Sequence, residues 1–225
     1  SLKQMQENVI DDVENNVFPM LKKLKWRNTA LEFNDVGSLI KSLDLIASDN
    51  YLERSQDGSD VNILKFITAN YSERFKDLKR DDVQLLWKVC QIPDFRKISN
   101  QDHAGLVMKI FDFVRTKGFI PSDWLKMEIA RLDNIQGDID VLSKRLSFIR
   151  TWSFVANINK WLLDNEYFIG ITRNIEDKLS DALHLKLTQR FVDLRRSVLI
   201  KKGMEEYFDE KDFELRDDSC VYTKG

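Results

Sequence analysis

The residues best equipped for chemistry in this chain are cations set beside aromatic rings. Lys22, Lys25, Trp26 and Arg27 fall within LKKLKWRN at 21–28, a compact cationic stretch around an indole. Such a group suits a phosphate backbone, with a base or ribose stacked on the ring, because the cations release counterions and every base offers a π-face. Arg145 and Arg150 form a second group beside Trp152, and Arg190, Arg195 and Arg196 form a third. Guanidinium groups spaced along a helix bond successive phosphates without reading sequence. The same residues have intramolecular uses: Arg173 stands four residues before Asp177, and the spacing of Trp152 and Trp161 also suits a core.

Catalytic chemistry finds little material. The chain has no GxxxxGK[ST], GxGxxG, GxSxG, HExxH or EF-hand pattern, and its 8 glycines are isolated. His103 and His184 are the only histidines and lie far from each other and from Cys90 and Cys220, so a zinc site is not assembled. Both histidines read as packing or surface residues of helices. The carboxylate pairs Asp11/Asp12, Asp138/Asp140 and Glu176/Asp177 are explained by helix dipoles and i,i+4 pairing before acid–base work. No catalytic residue, metal ligand or cofactor is therefore assigned within the segment.

Charge is distributed by position. The 225 residues carry 35 Lys+Arg and 37 Asp+Glu, a net charge of −2 that provides no global basic field. Residues 141–202 nevertheless hold 12 basic and 6 acidic groups, while 203–225 hold 3 basic and 8 acidic. A basic helical block is followed by an acidic tail, which is either solvated or folded back on the block as a nucleic-acid mimic.

The elements that position these groups are helical. Only 3 prolines and 8 glycines leave little punctuation for sandwiches or barrels, and 43% hydrophobic content is enough for one large domain or two small ones. Ile139, Leu142, Leu146, Ile149, Trp152 and Val155 recur at gaps of three and four. A longer stripe runs Phe168, Ile171, Ile175, Leu179, Leu183, Leu187, Phe191, Leu194 and Val198. Two long antiparallel helices, joined near Asn159 to Asn165, are predicted to bury these stripes against each other. Shorter helices are predicted near 38–47, 60–76, 81–91, 100–117 and 122–134, with Ser99 and Asp102 opening the fourth and Gly118 closing it. Met5, Val9, Val13 and Val17 suggest a further helix over 3–18, stopped by Pro19. The expected fold is all-α: an irregular helical array, then two long antiparallel helices, with a short β-hairpin at the C-terminus where FELRDDSCVY begins to alternate. The expected divisions are a connecting helix over 1–20, a short-helix region over 21–136, a long basic hairpin over 137–202 and an acidic tail over 203–225.

Four blocks, LKWRNTALEF at 24–33, LLWKVCQIPDFRK at 85–97, ARLDNIQGDIDVLSKRLSFIRTWSFVAN at 130–157 and EDKLSDALHLKLTQRFVDLRRSVL at 176–199, resemble the region after the motor in a family of bacterial superfamily 2 helicases. These are the MgpS-like relatives of the mitochondrial degradosome RNA helicase. The resemblance covers about residues 20–202, and it departs where relatives tend to read HRxDWL and this chain has Asn157-Ile158-Asn159-Lys160-Trp161-Leu162. It implies that two RecA-like motor domains, using ATP and Mg, lie upstream in the same polypeptide. It also implies that the helical region packs on them and helps enclose a single strand of RNA or DNA. The Ser1-Leu2 start, without Met, and the Gly225 end, where alternation begins, are expected to be those of an excised segment. The nucleic-acid contacts expected are Lys22, Lys25, Trp26, Arg27, Arg145, Arg150, Arg190, Arg195 and Arg196.

A second expectation is a helical protein-interaction scaffold, whose apolar stripes and surface tryptophans dock a ribonuclease or a motor domain without touching nucleic acid. Two cysteines 130 residues apart fit a reducing, cytoplasmic setting, and no run approaches a membrane span.

Overall fold

A computed structural model of the chain describes residues 23–97, 99–201, 213–215 and 221–223, with side chains described as far as Arg195. The helix expected over 3–18, Lys22 and the greater part of the acidic tail lie outside the described residues, as does the side chain of Arg196. Helix dominates, as the scarcity of glycine and proline requires, and the chain forms two compact units divided between Lys117 and Gly118.

In the first unit, strand β1 (Leu24–Trp26) runs parallel to β2 (Leu52–Arg54), with helix α1 (Val36–Leu43) between them in sequence. Helices α2 (Ser59–Asn70), α3 (Arg80–Cys90) and α4 (Asn100–Lys117) follow, with a 3₁₀ turn at Ser72–Phe75. Their apolar faces supply the core, including Leu39, Leu64, Ile67, Val83, Leu86, Val107, Ile110 and Phe111, all fully or almost fully buried. α1 starts where the Asp35 carboxylate accepts from Ser38 N at 2.8 Å. α4 starts with Ser99 and Asp102 bonded reciprocally, and ends before Gly118 at φ +80°, a left-handed conformation that glycine adopts without a Cβ penalty.

An ionic cluster fastens the small sheet to the helices. Arg54 reaches Asp44 and Asp57 at 2.5 Å each, and Lys65 reaches the same two carboxylates at 2.8 Å each. Two cations between two anions leave no uncompensated charge. The Lys65 hydrogen bond holds the Asp57 carboxyl below its ordinary value despite burial, and the bond to Asp44 leads in raising Lys65.

The second unit is built on α6 (Ile139–Ala156) and α7 (Asn165–Lys201), preceded by α5 (Ser122–Ala130) and followed by an antiparallel pair, β3 (Phe213–Leu215) and β4 (Val221–Thr223). The expected stripe of α6 is buried at Leu142, Leu146, Ile149, Trp152 and Val155, against Phe168, Ile175 and Leu179 of α7. Trp124 of α5 meets Trp152 edge-to-face at 5.6 Å between ring centroids. The tip of the hairpin is anchored by buried Trp161 and Leu162, by Ile120 N–H donating to Trp161 O at 2.8 Å, and by the Asn165 amide donating to Ala156 O and Ile158 O.

The two long helices have unequal lengths, 18 and 37 residues. Arg150 pairs with Glu176 across them at 3.1 Å, and Ser153 donates to the same carboxylate. In an antiparallel pair that register sets Ile139, the first residue of α6, opposite the region of Leu187. From there to Lys201, about 20 Å of α7 runs on past its partner, at 1.5 Å per residue. The single stripe read from the sequence is accordingly divided. Phe168, Ile175 and Leu179 are at most 2% exposed, whereas Leu187, Phe191 and Leu194 are 47%, 52% and 58% exposed.

Truncating Leu179 to alanine is expected to cost about 2–5 kcal/mol in urea unfolding, the range for a fully buried leucine that leaves a cavity. Leu163→Ala, at a position 72% exposed, is expected to stay within about 0.5 kcal/mol. Equal costs would contradict the packing described.

Candidate nucleic-acid interface

The cationic groups expected from the sequence have different fates. Lys25 lies on β1, opposite Glu53 of β2 in the parallel register, and pairs with it at 2.9 Å. That hydrogen bond, followed by the Lys25 charge, lowers the Glu53 carboxyl from its ordinary value. Trp26 is half-buried. Arg27 binds Asp60 at 2.9 Å and lies over the Trp87 ring, 5.3 Å from its centroid. Within the LKKLKWRN stretch, Lys25 and Arg27 are thus paired inside the first unit, while Lys22 lies outside the described residues.

Arg145 donates to Asn134 O at 2.7 Å and to Gln136 O, so its guanidinium holds the 131–138 loop against α6. Gly137 in this loop has φ +138°, and a Cβ there would come within 2.8 Å of the Val141 side chain, so the approach requires glycine. Arg150 spends its charge on Glu176. Both arginines serve the hairpin itself.

The outer stretch of α7 differs. Lys186, Arg190 and Arg195 are exposed, and Arg195 stacks over the exposed Phe191 ring at 5.0 Å from its centroid. Among the described residues Lys186 and Arg190 make no ion pair. Both line an open depression of about 490 Å³, together with Gly137, Asp138, Ile139 and Asp140 at the start of α6. Asp138 caps that helix, accepting from Val141 N at 2.8 Å. Asp138 and Asp140 lie in the same depression without pairing with either cation, and the cationic surface continues along α7 to Arg195. Sequence reasoning missed Lys186 and Phe191. Lys186 sits one helical turn before Arg190, a spacing visible in the sequence, whereas the period of Phe191 places it in the apolar stripe.

Of the five tryptophans, Trp87, Trp152 and Trp161 are buried and Trp26 and Trp124 half-buried. The exposed apolar groups of the second unit include Leu163, Leu185, Leu187, Phe191, Val192 and Leu194. Cys90 is a buried free thiol whose pKa is pushed up by burial and then by Asp60, so it stays protonated and inert. Among the described residues no cluster of His, Cys, Asp and Glu could hold a metal ion, and no helix is long and apolar enough to cross a membrane.

His103 is buried on α4. The Ile92 carbonyl lies 3.1 Å from Nε2 and can only accept, so Nε2 carries the proton. Nδ1 then faces the Asp94 carboxylate at 3.9 Å without a hydrogen-bond partner. Burial leads in lowering the His103 pKa from its ordinary value, Arg96 adds to it, and Asp94 and the Ile92 carbonyl oppose. His184 is exposed on α7.

Fold and site together define an all-α protein with a cationic, aromatic-bearing helix surface. Comparison with protein-family models, with curated proteins and with solved structures finds no match to this chain.

The His103 geometry sets a pH dependence. Its folded pKa lies below its unfolded value, so the unfolded chain takes up the proton first as pH falls through the ordinary histidine value of 6.5. Stability is therefore full above that value and declines below it, levelling at the folded pKa. The urea midpoint is expected to fall between pH 7.5 and 5.5, and His103→Gln, which keeps a donor for Ile92 O, is expected to flatten that slope. A slope unchanged by His103→Gln would contradict the assignment.

Proposed function

We propose that this chain is the helical accessory region that follows the motor of an ATP-dependent RNA helicase, where it packs on the RecA-like domains and helps enclose a single strand. ATP and Mg belong to the motor in this reading, and hydrolysis is its work. The observation that carries the reading on this chain's own residues is the outer stretch of α7. There Lys186, Arg190 and Arg195 are exposed on the stretch that carries the exposed Phe191, with Arg195 stacked over its ring, while Lys25, Arg27, Arg145 and Arg150 are bonded within the chain. Cations that are not neutralised internally can bind phosphates, and an exposed ring stacks any base. Such a lining is sequence-blind, as a translocating motor needs, because a tight base-specific contact would stall it. Arg196 adds a further cation by sequence, while Lys25, Arg27, Arg145 and Arg150 act as structural pairs in this scheme.

The exposed stripe Leu187, Phe191 and Leu194 favours a second reading, a scaffold surface that docks a protein such as a ribonuclease or a motor domain. Salt separates the two, since phosphate binding weakens steeply with ionic strength and apolar docking does not.

Fluorescence anisotropy of a labelled single-stranded RNA of about 20 nucleotides, longer than a typical single-module footprint, tests the proposal across a salt series. Binding is expected to weaken as salt rises, and the double charge reversal Arg190→Glu with Arg195→Glu is expected to reduce affinity at least about tenfold and flatten the salt slope by about 2. Arg150→Ala is expected to leave affinity within about twofold, as its charge is already used. Loss of affinity on Arg150→Ala but not on the double reversal would overturn the assignment.

A further inference from the structure

An uncovered apolar face of the second unit and a β-ribbon that alternates in sequence are neighbours along the chain. The face is the outer side of α7. At 100° per residue, Leu187, Phe191 and Leu194 fall within a narrow strip, with Arg190 about 70° to one side and Arg195 about 70° to the other. All three apolar residues are about half exposed or more, and soluble proteins rarely leave such a continuation of a core stripe open. The ribbon is the β3–β4 pair. Its register pairs Phe213 with Thr223, Glu214 with Tyr222 and Leu215 with Val221. Phe213, Leu215 and Val221 thus occupy one set of alternate positions, with Glu214 and Tyr222 on the other. A ribbon of two three-residue strands is marginal in water unless it packs on something.

Charge matches the two. Residues 184–202 carry six basic groups and one acidic, a net of +5, and residues 203–225 carry three basic and eight acidic, a net of −5. The segment from 202 to 212 that joins α7 to β3 spans up to about 35 Å extended, more than the roughly 20 Å of outer helix it would need to turn back along.

We propose that the acidic segment 203–225 docks back on the outer half of α7, seating its apolar residues on the Leu187–Phe191–Leu194 strip and its carboxylates against the flanking arginines. A second copy of the chain is a poorer occupant, since two outer halves would bring like charges together. The docked segment covers the cations invoked for strand binding, so segment and strand compete, and the acidic tail acts as an internal mimic of the phosphate backbone. The docking itself stands independently of the strand-binding reading.

The test is residue-resolved hydrogen exchange on the full chain, in three forms: wild type, the charge variant Glu205→Gln, Glu206→Gln, Asp209→Asn, Glu210→Gln, and the apolar variant Phe213→Ser, Leu215→Ser, Val221→Ser. Amides of 188–201 are expected to exchange at least tenfold faster in both variants than in the wild type, with those of α6 unchanged. Exchange rates over 188–201 that neither variant alters would overturn the proposal. So would wild-type protection that rises with protein concentration, which would assign the strip to a second copy. Single-stranded RNA is expected to bind the charge variant about tenfold more tightly than the wild type, and equal affinity would overturn the competition. If RNA binds none of the three forms, the strand reading falls, and the exchange rates still decide whether the segment docks.

Discussion

The second unit depends on one packing constraint: a long helix buried along only part of its length. The stripe of α6 seals the first half of α7, and the seal ends where Asp138 caps α6. Beyond that point α7 keeps its apolar period but has lost the partner that made it a core. Each buried side chain in the sealed half contributes about 1.5–3 kcal/mol relative to exposure, which is ample to hold a 37-residue helix in place while its end projects. Surface chemistry is concentrated on the projecting end for the same reason. Side chains facing α6 are committed to packing and its ion pair, whereas those further along have nothing of the hairpin to bind.

In the first unit, several charges are spent internally. The Arg54–Asp44–Asp57–Lys65 cluster, the Arg27–Asp60 pair under the Trp87 contact and the Arg115–Asp82 pair join segments distant in sequence. Exposed pairs of this kind contribute about 1 kcal/mol or less each, and a cluster of alternating signs mainly fixes which segments meet. A basic residue in such a pair has part of its charge already balanced by the neighbouring carboxylate, which weakens its pull on a phosphate. Within LKKLKWRN this applies to Lys25 and Arg27.

Much of the architecture was legible in the sequence. The helix over 100–117, its Ser99–Asp102 opening and its glycine stop are local signals, and local signals survive folding. The two long helices were legible because gaps of three and four persist over many turns. What could not be read was tertiary. The β1–β2 pairing joins two three-residue strands 28 positions apart, too short for alternation to register. The site was only partly legible for the same reason. Composition shows that residues 141–202 are basic, but whether an arginine there is free or bonded depends on partners such as Asn134 O and Glu176, which only the folded chain brings near. Periodicity likewise shows that Leu187, Phe191 and Leu194 belong to a stripe, while the length of α6 decides that they are uncovered.

Function on this account follows from the mismatch between the two helices, with the short one setting the rigid base and the long one presenting cations and a ring to a partner. The most direct measurement is backbone NMR of the full chain titrated with a single-stranded RNA at low salt. Shifts are expected to concentrate on residues 186–196 of α7, leaving the β1 segment around Lys25 to Arg27 and the α6 positions Arg145 and Arg150 nearly unmoved. Shifts centred on Lys25 to Arg27 with α7 unperturbed would contradict the claim that the projecting half of α7 is the working surface.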